Sequence, residues 1–518
     1  MTTLLQKAKK ALQKPLSLLT FSCIVSIGTL LLYNIPFFKF VIDNSNENTF
    51  SVALLTVSLV AIMLALNFMM TCLVMFCMRM VGRIILAILS IINATAVYFI
   101  LTYNVILNAT TIENVFNTRY SEASGFFSWS LWLFILVFGV LPALFCLFQS
   151  VKKCKAKKLG IYCGESLAII IIFGLLNINQ TLFISQHDTE LGGLLQPWSY
   201  IANTYRIISF SHDEQAEEIK LPDGKIKDNE KAVVVLVIGE SARKANFQLY
   251  GYKRETNPLL SKQKNLKVFQ ATSCATYTTA GTKAILEPKN CDDLYEILPN
   301  YAFRTGVDVS WRTYNWGEPP VHIDEYLTDT ELAKQYPDVD SHYDGILFAG
   351  LRKRIESSKK NKILIILHTS TSHGPQYANK YPKDFEFFKP VATNVEEGEK
   401  HVDRLVNAYD NTIRYTDYLL SNLINTLHSM KDWKSAMIFI SDHGESLGEK
   451  KMFMHGLPKD IAPKEQYEIP FLVWTSKEFR EYKNNLPIVL EQHYIFHSVL
   501  NLLSIQSPAY NKDYDIFK

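Results

Sequence analysis

Glu240, His373 and the adjacent Asp442 and His443 are the residues whose types and spacing first point to chemistry. Each follows a run of aliphatic, largely β-branched residues. Positions 232–238 lead into Gly239-Glu240-Ser241, positions 362–367 into His368 and then Ser372-His373-Gly374-Pro375, and positions 435–440 into Ser441-Asp442-His443-Gly444-Glu445. A single glutamate after a strand most often neighbours a helix start, and a single histidine is most often a hydrogen-bonded structural group. Convergence of three such strand ends at one sheet edge is the signal. Carboxylates and imidazoles together suit zinc (Zn²⁺), which accepts mixed oxygen and nitrogen ligands at roughly 2.0–2.2 Å. A fourth stretch, Ser273-Cys274-Ala275-Thr276-Tyr277-Thr278-Thr279-Ala280-Gly281-Thr282, is crowded with hydroxyls just ahead of a predicted helix. A hydroxyl ligated to zinc ionises near neutral pH, by the effect that lowers bound water from a pKa of 15.7 to about 7. Helix N-terminal amides also favour an incoming phosphate. Capping and turn formation are the plainer uses of these threonines, and residue types alone leave open which one is a nucleophile.

The elements that must position these groups follow from the same runs. Strands apolar throughout are buried on both faces, as in a parallel sheet covered by helices. Helical patterns such as 404–427 supply the crossovers. The predicted fold from residue 232 onward is therefore α/β, a mainly parallel sheet with helices on both faces, and ligands of such sheets bind beyond the carboxyl ends of the strands.

The chain has 518 residues, 53 Lys and Arg against 50 Asp and Glu, and 48% hydrophobic residues. That composition excludes disorder, collagen-like repeats and a small disulfide scaffold. A near-neutral charge balance argues against a nucleic-acid partner, which needs a concentrated basic surface. Charge is scarce before about residue 190, where five windows offer the roughly 20 apolar residues that cross a bilayer: 15–42, 51–78, 84–107, 126–149 and 159–184. The first is too long, and has too many followers, to be a cleaved signal peptide. Basic residues gather before the first span (Lys7, Lys9, Lys10, Lys14), between the second and third (Arg79, Arg83), and between the fourth and fifth (Lys152, Lys153, Lys155, Lys157, Lys158). Basic loops stay cytoplasmic, so the N-terminus is expected inside and everything after five spans outside. Six cysteines lie in the spans or inner loops, and only Cys274 and Cys291 in the exported part, where an even pair reads as one disulfide. Residues 192–209 mix apolar, aromatic and small polar types, as in an amphipathic helix at the outer membrane surface. Residues 212–231 are charged and aperiodic. The expected organisation is a five-span domain over 1–190, an interfacial helix and linker over 191–231, and a catalytic domain over 232–518.

Four pieces carry a resemblance: Val237-Ile238-Gly239-Glu240-Ser241-Ala242-Arg243 with Tyr250-Gly251-Tyr252; Ser372-His373-Gly374-Pro375; Asn407-Ala408-Tyr409-Asp410-Asn411-Thr412; and Ser441-Asp442-His443-Gly444-Glu445-Ser446. With the five spans, they make the chain resemble the bacterial phosphoethanolamine transferases. These are inner-membrane enzymes with a periplasmic domain of the alkaline phosphatase and sulfatase superfamily. The resemblance implies transfer of phosphoethanolamine from phosphatidylethanolamine to an envelope glycolipid, glycan or protein, with diacylglycerol released. It implies a catalytic zinc held by Glu240, Thr278, Asp442 and His443, with Thr278 as nucleophile and a covalent phosphoethanolamine-threonine intermediate. It implies His373 and His455 at the phosphate or at a second metal. It also matches Asn114, Thr118 and Glu122 to lipid head-group positions, and their i, i+4, i+8 spacing sets all three on one helix face. Two departures stand out: relatives often carry several disulfides, and here 311–320 (Trp311 to Pro320) replaces a cysteine-bearing stretch, which bears on acceptor identity. The nearest rival is a phosphoglycerol transferase that uses phosphatidylglycerol and Mn²⁺ on the same fold. A sulfatase is disfavoured because no Cys/Ser-x-Pro-x-Arg signature lies near residue 278. A non-catalytic scaffold is disfavoured because Glu240, Thr278, Asp442 and His443 are all present.

Overall fold

The computed structural model describes residues 14–45, 49–117, 126–177, 187–210, 218–289, 293–393, 395–477 and 481–518, with positions 123, 183–184 and 479. The chain divides into two compact units, Met1–Asp213 and Glu214–Lys518.

In the first unit, the helices Thr49–Cys77, Arg79–Tyr103, Trp129–Phe148 and Ala156–Leu176 are each long and apolar enough to span a membrane. The remaining expected span is broken. Leu18–Tyr33 and Ile35–Asn44 meet at a 57° bend, so the described residues hold four unbroken candidate spans, and a fifth if the bent pair counts as one. Asn34 sits at the bend. Its Nδ2 donates to Thr29 O and Gln196 O, its Oδ1 accepts from Gln196 N, and Pro36 opens the next helix. A polar side chain bonded to a neighbouring segment, followed by a residue with no backbone N–H, is a sufficient cause for the kink. The segment expected to lie at the surface contains the helix Trp198–Phe210. Trp198 Nε1 donates to Asn67 Oδ1, Tyr200 OH to Asn93 Oδ1 and Asn203 Nδ2 to Leu107 O, which ties its first two turns to two spanning helices and to the segment after Tyr103. Asn114 falls in the helix Ala109–Asn117, whereas Thr118 and Glu122 lie outside the described residues, and with them most of the predicted polar face.

The second unit is built on an eight-stranded sheet: β1 (Ala232–Gly239), β2 (Leu266–Thr272), β3 (Asp308–Thr313), β4 (Glu325–Thr328), β5 (Lys362–His368), β6 (Lys434–Ser441), β7 (Glu468–Thr475) and β8 (Val489–Glu491). Their order is β8-β2-β7-β6-β1-β5-β3-β4. All neighbours pair in parallel except β7, which runs antiparallel to β2 and β6. The three runs that prompted the α/β expectation are the adjacent central strands β6, β1 and β5. Alternation along β1 explains why they are apolar throughout. Val234, Leu236 and Ile238 pack into a core with the helix Tyr494–Leu502, and Val233, Val235 and Val237 into a second core with the long helix Val402–Ser429. The stretch expected to be a linker partly joins this unit: Lys225–Ile226 pairs with Ile505–Gln506, and Leu221 is buried in the first core. The Cys274–Cys291 disulfide is not seen. Cys274 is a free thiol whose Sγ donates to Ala280 O, and Cys291 lies outside the described residues.

Candidate active site

Because β1, β2, β3, β5 and β6 run the same way, their carboxyl ends open onto one edge of the sheet. Glu240 leaves β1, Asp442 and His443 leave β6, and all three are essentially fully buried. Three hydrogen bonds anchor Asp442. Its backbone N–H donates to Gly239 O (2.9 Å), and its Oδ1 accepts from Ser241 N (3.1 Å) and from His443 N (2.7 Å). Ser241 takes the left-handed backbone region, φ 54°, at a cost of about 1–2 kcal/mol for a residue with a Cβ. It is held there by Asp442, by Tyr409 OH donating to its carbonyl (2.7 Å) and by its own Oγ donating to Glu240 Oε1 (2.8 Å).

Thr278 is the first residue of the helix Thr278–Leu286, which follows β2. Its Oγ1 lies 3.4 Å from Glu240 Oε2 and 3.3 Å from His443 Nε2. Gly281 makes this approach possible, because a Cβ there would stand 2.2 Å from Asp442 O. Two other candidate hydroxyls are engaged elsewhere: Ser273 Oγ donates to Ala275 O, and Thr276 Oγ1 to Leu457 O.

His443 Nδ1 donates to Gly444 O at 2.8 Å, leaving Nε2 as an electron-pair donor. That lone pair faces Glu240 Oε1 at 3.3 Å and Asp442 Oδ2 at 3.5 Å, and Asp442 Oδ2 is buried with no hydrogen bond. Burial, reinforced by the charge of Glu240, pushes the Asp442 carboxyl well above the usual carboxylate range. For His443 burial acts the other way, yet the charges of Asp442 and Glu240 prevail and raise it to about 10. Both directions express one fact: the pocket gathers negative charge and lone pairs and demands a cation. Three oxygens and one imidazole nitrogen, with Nδ1 already fixed by a carbonyl, are a donor set that fits a zinc ion.

A second set shares Glu240. His373 and His455 each offer a ring nitrogen that lies with a Glu240 oxygen inside a 4.8 Å cluster, as Asp442 and His443 do. The His373 and His455 ring centroids are 5.5 Å apart, and those of His443 and His455 4.3 Å. His373 rides on the loop after β5, which Asp344 braces by accepting from Ser370 N and Thr371 Oγ1. His455 Nδ1 is held by Glu445 Oε2 at 2.9 Å and lies 3.4 Å from Ser241 Oγ. Both histidines therefore lie beside the first cluster.

Three contributors escaped the sequence reading. Asn315 Nδ2, just beyond β3, donates to Glu240 Oε2 and to Thr369 O. It lies within the stretch noted for its missing cysteines, and its long separation from Glu240 hid the contact. Ser241 and Glu445 stood inside recognised motifs without an assigned role. Tyr409 braces Ser241, and Thr412 Oγ1 lies 2.9 Å from Ser372 Oγ, so the 407–412 motif supports two of the loops that carry site residues.

Comparison with known proteins adds independent ground. A family model described as Sulfatase matches residues 232–505, and one described as Phosphoethanolamine transferase EptA/EptB matches residues 62–211. The chain is 38% identical to phosphoethanolamine transferase EptA of Helicobacter pylori, over 98% of this chain and 97% of that protein. It matches the integral membrane lipooligosaccharide phosphoethanolamine transferase A (EptA) of Neisseria meningitidis with a TM-score of 0.83 and 25% identity, covering 96% of this chain and 98% of that one. The C-terminal periplasmic domain of phosphoethanolamine transferase EptC from Campylobacter jejuni matches at 30% identity and a TM-score of 0.51, covering 58% of this chain and 97% of that domain. Since the likeness runs through the spanning helices as well as the sheet and its edge, the chain belongs to the phosphoethanolamine transferases, membrane enzymes of the alkaline phosphatase and sulfatase superfamily.

Proposed function

We propose that this enzyme moves phosphoethanolamine from phosphatidylethanolamine to an envelope glycolipid, lipid A or lipooligosaccharide core, by two successive displacements at phosphorus through Thr278. The observation that carries this reading is the position of Thr278 Oγ1, at a helix N-terminus and within 3.4 Å of both Glu240 and His443. Glu240, Thr278, Asp442 and His443 would hold zinc, which supplies positive charge that lowers the pKa of a ligated hydroxyl. In the first displacement Thr278 Oγ1 bonds to the donor phosphorus as the bond to the glycerol oxygen breaks, and the threonine proton ends on the diacylglycerol hydroxyl. In the second, an acceptor oxygen bonds to phosphorus, the bond to Thr278 breaks, and the acceptor proton returns to Thr278. Dividing the reaction lets one pocket serve two substrates in turn. The first-turn amides of the helix face the phosphoryl oxygens. His373 and His455, held by the Ser370–His373 loop and by Glu445, contact those oxygens and relay the acceptor proton.

Asn114, Thr118 and Glu122 bind the lipid head group in this reading, with Glu122 opposite the ethanolamine ammonium; spacing and family likeness support them. The basic loops put the N-terminus in the cytoplasm and the second unit in the periplasm. The test is to incubate purified enzyme with vesicles of phosphatidylethanolamine or of phosphatidylglycerol, with lipid A as acceptor. Diacylglycerol should appear from the first lipid only, with a phosphoethanolamine adduct mapping to Thr278. Equal release from phosphatidylglycerol would make the enzyme a phosphoglycerol transferase, and an adduct confined to another residue would remove Thr278 from its role.

A further inference from the structure

Glu165 is the one acidic residue in the interior of the described spanning helices, nine residues into Ala156–Leu176. It is exposed, and among the described residues it makes no hydrogen bond or ion pair. An ionisable group at that depth is costly and normally has a functional partner. It lies on the wall of a groove of about 400 Å³ formed by three helices, Leu18–Tyr33, Thr49–Cys77 and Ala156–Leu176. One stripe of the last helix, spaced by three and four residues, reads Lys158, Tyr162, Glu165, Ile169, Phe173, and the opposite wall carries Leu64 and Phe68. The order along the stripe is basic, phenolic, acidic, then apolar. Lys158 belongs to the five-lysine run at the start of this helix.

We propose that this groove binds a phospholipid whose head group carries a primary ammonium, in the leaflet next to the lysine run. The acyl chain lies along Ile169, Phe173 and Leu64, the phosphate is level with Lys158, and the ammonium pairs with Glu165. Seven residues separate the two charges, about 10 Å along a helix axis. Both side chains tilt toward the N-terminus, so that spacing is kept, and a head group with one ion-pair contact at each end bridges it. A phosphatidylglycerol head offers no positive charge to Glu165. This site faces the opposite leaflet from the proposed catalysis and does not depend on the role of Thr278.

The test uses full-length enzyme in nanodiscs, with phosphatidylethanolamine or phosphatidylglycerol bearing a photoactivatable group on one acyl chain, and adducts mapped by proteolysis and mass spectrometry. Adducts between Tyr162 and Phe173 should favour phosphatidylethanolamine roughly five-fold, the effect of one ion pair. Glu165→Gln should abolish the preference while adducts persist. Ala61→Trp, which fills the groove, should remove adducts from both lipids. Transferase turnover in each variant reports that the protein is folded. A preference that survives Glu165→Gln, equal labelling of the wild type by both lipids, or labelling indifferent to Ala61→Trp would each overturn the proposal.

Discussion

Gly281→Ala probes the link between packing and chemistry without replacing a proposed ligand. A Cβ at this position would lie 2.2 Å from Asp442 O, 2.7 Å from Asp442 C and 3.1 Å from Asp442 Cα. These are backbone atoms at the end of a central strand, so no flexible side chain can yield. Ordinary contact begins near 3.4 Å, and the helix Thr278–Leu286 must therefore withdraw from the strand end by about 1 Å. Thr278 opens that helix, and its hydroxyl would leave the 3.3–3.4 Å contacts with His443 and Glu240. Overpacking of this kind costs about 1–3 kcal/mol in stability. A misplacement of about 1 Å at a reacting atom costs on the order of 100-fold in rate. The assay is kcat for phosphoethanolamine transfer per mole of folded protein, measured beside Tm and beside Gly164→Ala, a site where a Cβ meets nothing within 4 Å. A Gly281→Ala enzyme that turns over at the wild-type rate would refute the claim that this contact sets the position of Thr278. A rate loss that vanishes on correction for the folded fraction would reduce it to stability alone.

Thr278→Ala should abolish transfer and leave Tm within a degree or two, as read by diacylglycerol release and thermal unfolding; normal turnover would send the search to another hydroxyl. Asn315→Leu removes a donor to Glu240 Oε2 and should weaken zinc binding by 10–100-fold, measured by competition with a chelator. Complete chelation should stop turnover and lower Tm, both restored by zinc, since the buried Glu240 and Asp442 then lose their counter-charge. Asp417, whose oxygens accept from Leu259 N and Leu260 N, is pushed up by burial to about 6. A raised carboxyl stabilises the fold fully below its unfolded value near 4, and that contribution fades as pH rises through 6. Asp417→Asn should thus cost more at pH 4 than at pH 7, by up to about 3 kcal/mol in denaturant unfolding.

Much of this architecture was legible because the physics was local. Runs such as 232–238 read as central strands, and they are apolar throughout because hydrophobic cores cover both faces of β1. At the break, Pro36 is visible in the sequence, but the partner that bonds Asn34, Gln196, lies far along the chain and is not. The antiparallel β7 was equally hidden: its own residues do not record the direction of its neighbours.

The site divides along the same line. Glu240, Asp442 and His443 announced themselves because each follows a readable strand, and a parallel sheet delivers the carboxyl ends of its strands to one edge. Asn315, Ser241 and Glu445 did not, because their task is to orient another side chain, and that is a property of distance rather than of residue type. The carboxylates explain why so many orienting bonds are needed. Two acids and an imidazole lone pair packed into a buried pocket repel one another until a cation arrives. Each must therefore be pinned by partners whose own positions are fixed: Asp442 by Ser241 N, His443 by Gly444 O, and Glu240 by Asn315. The pinning is built on elements that the sheet already holds rigid, so the protein bears the repulsion in advance and the geometry at Thr278 Oγ1 does not wait on the substrate.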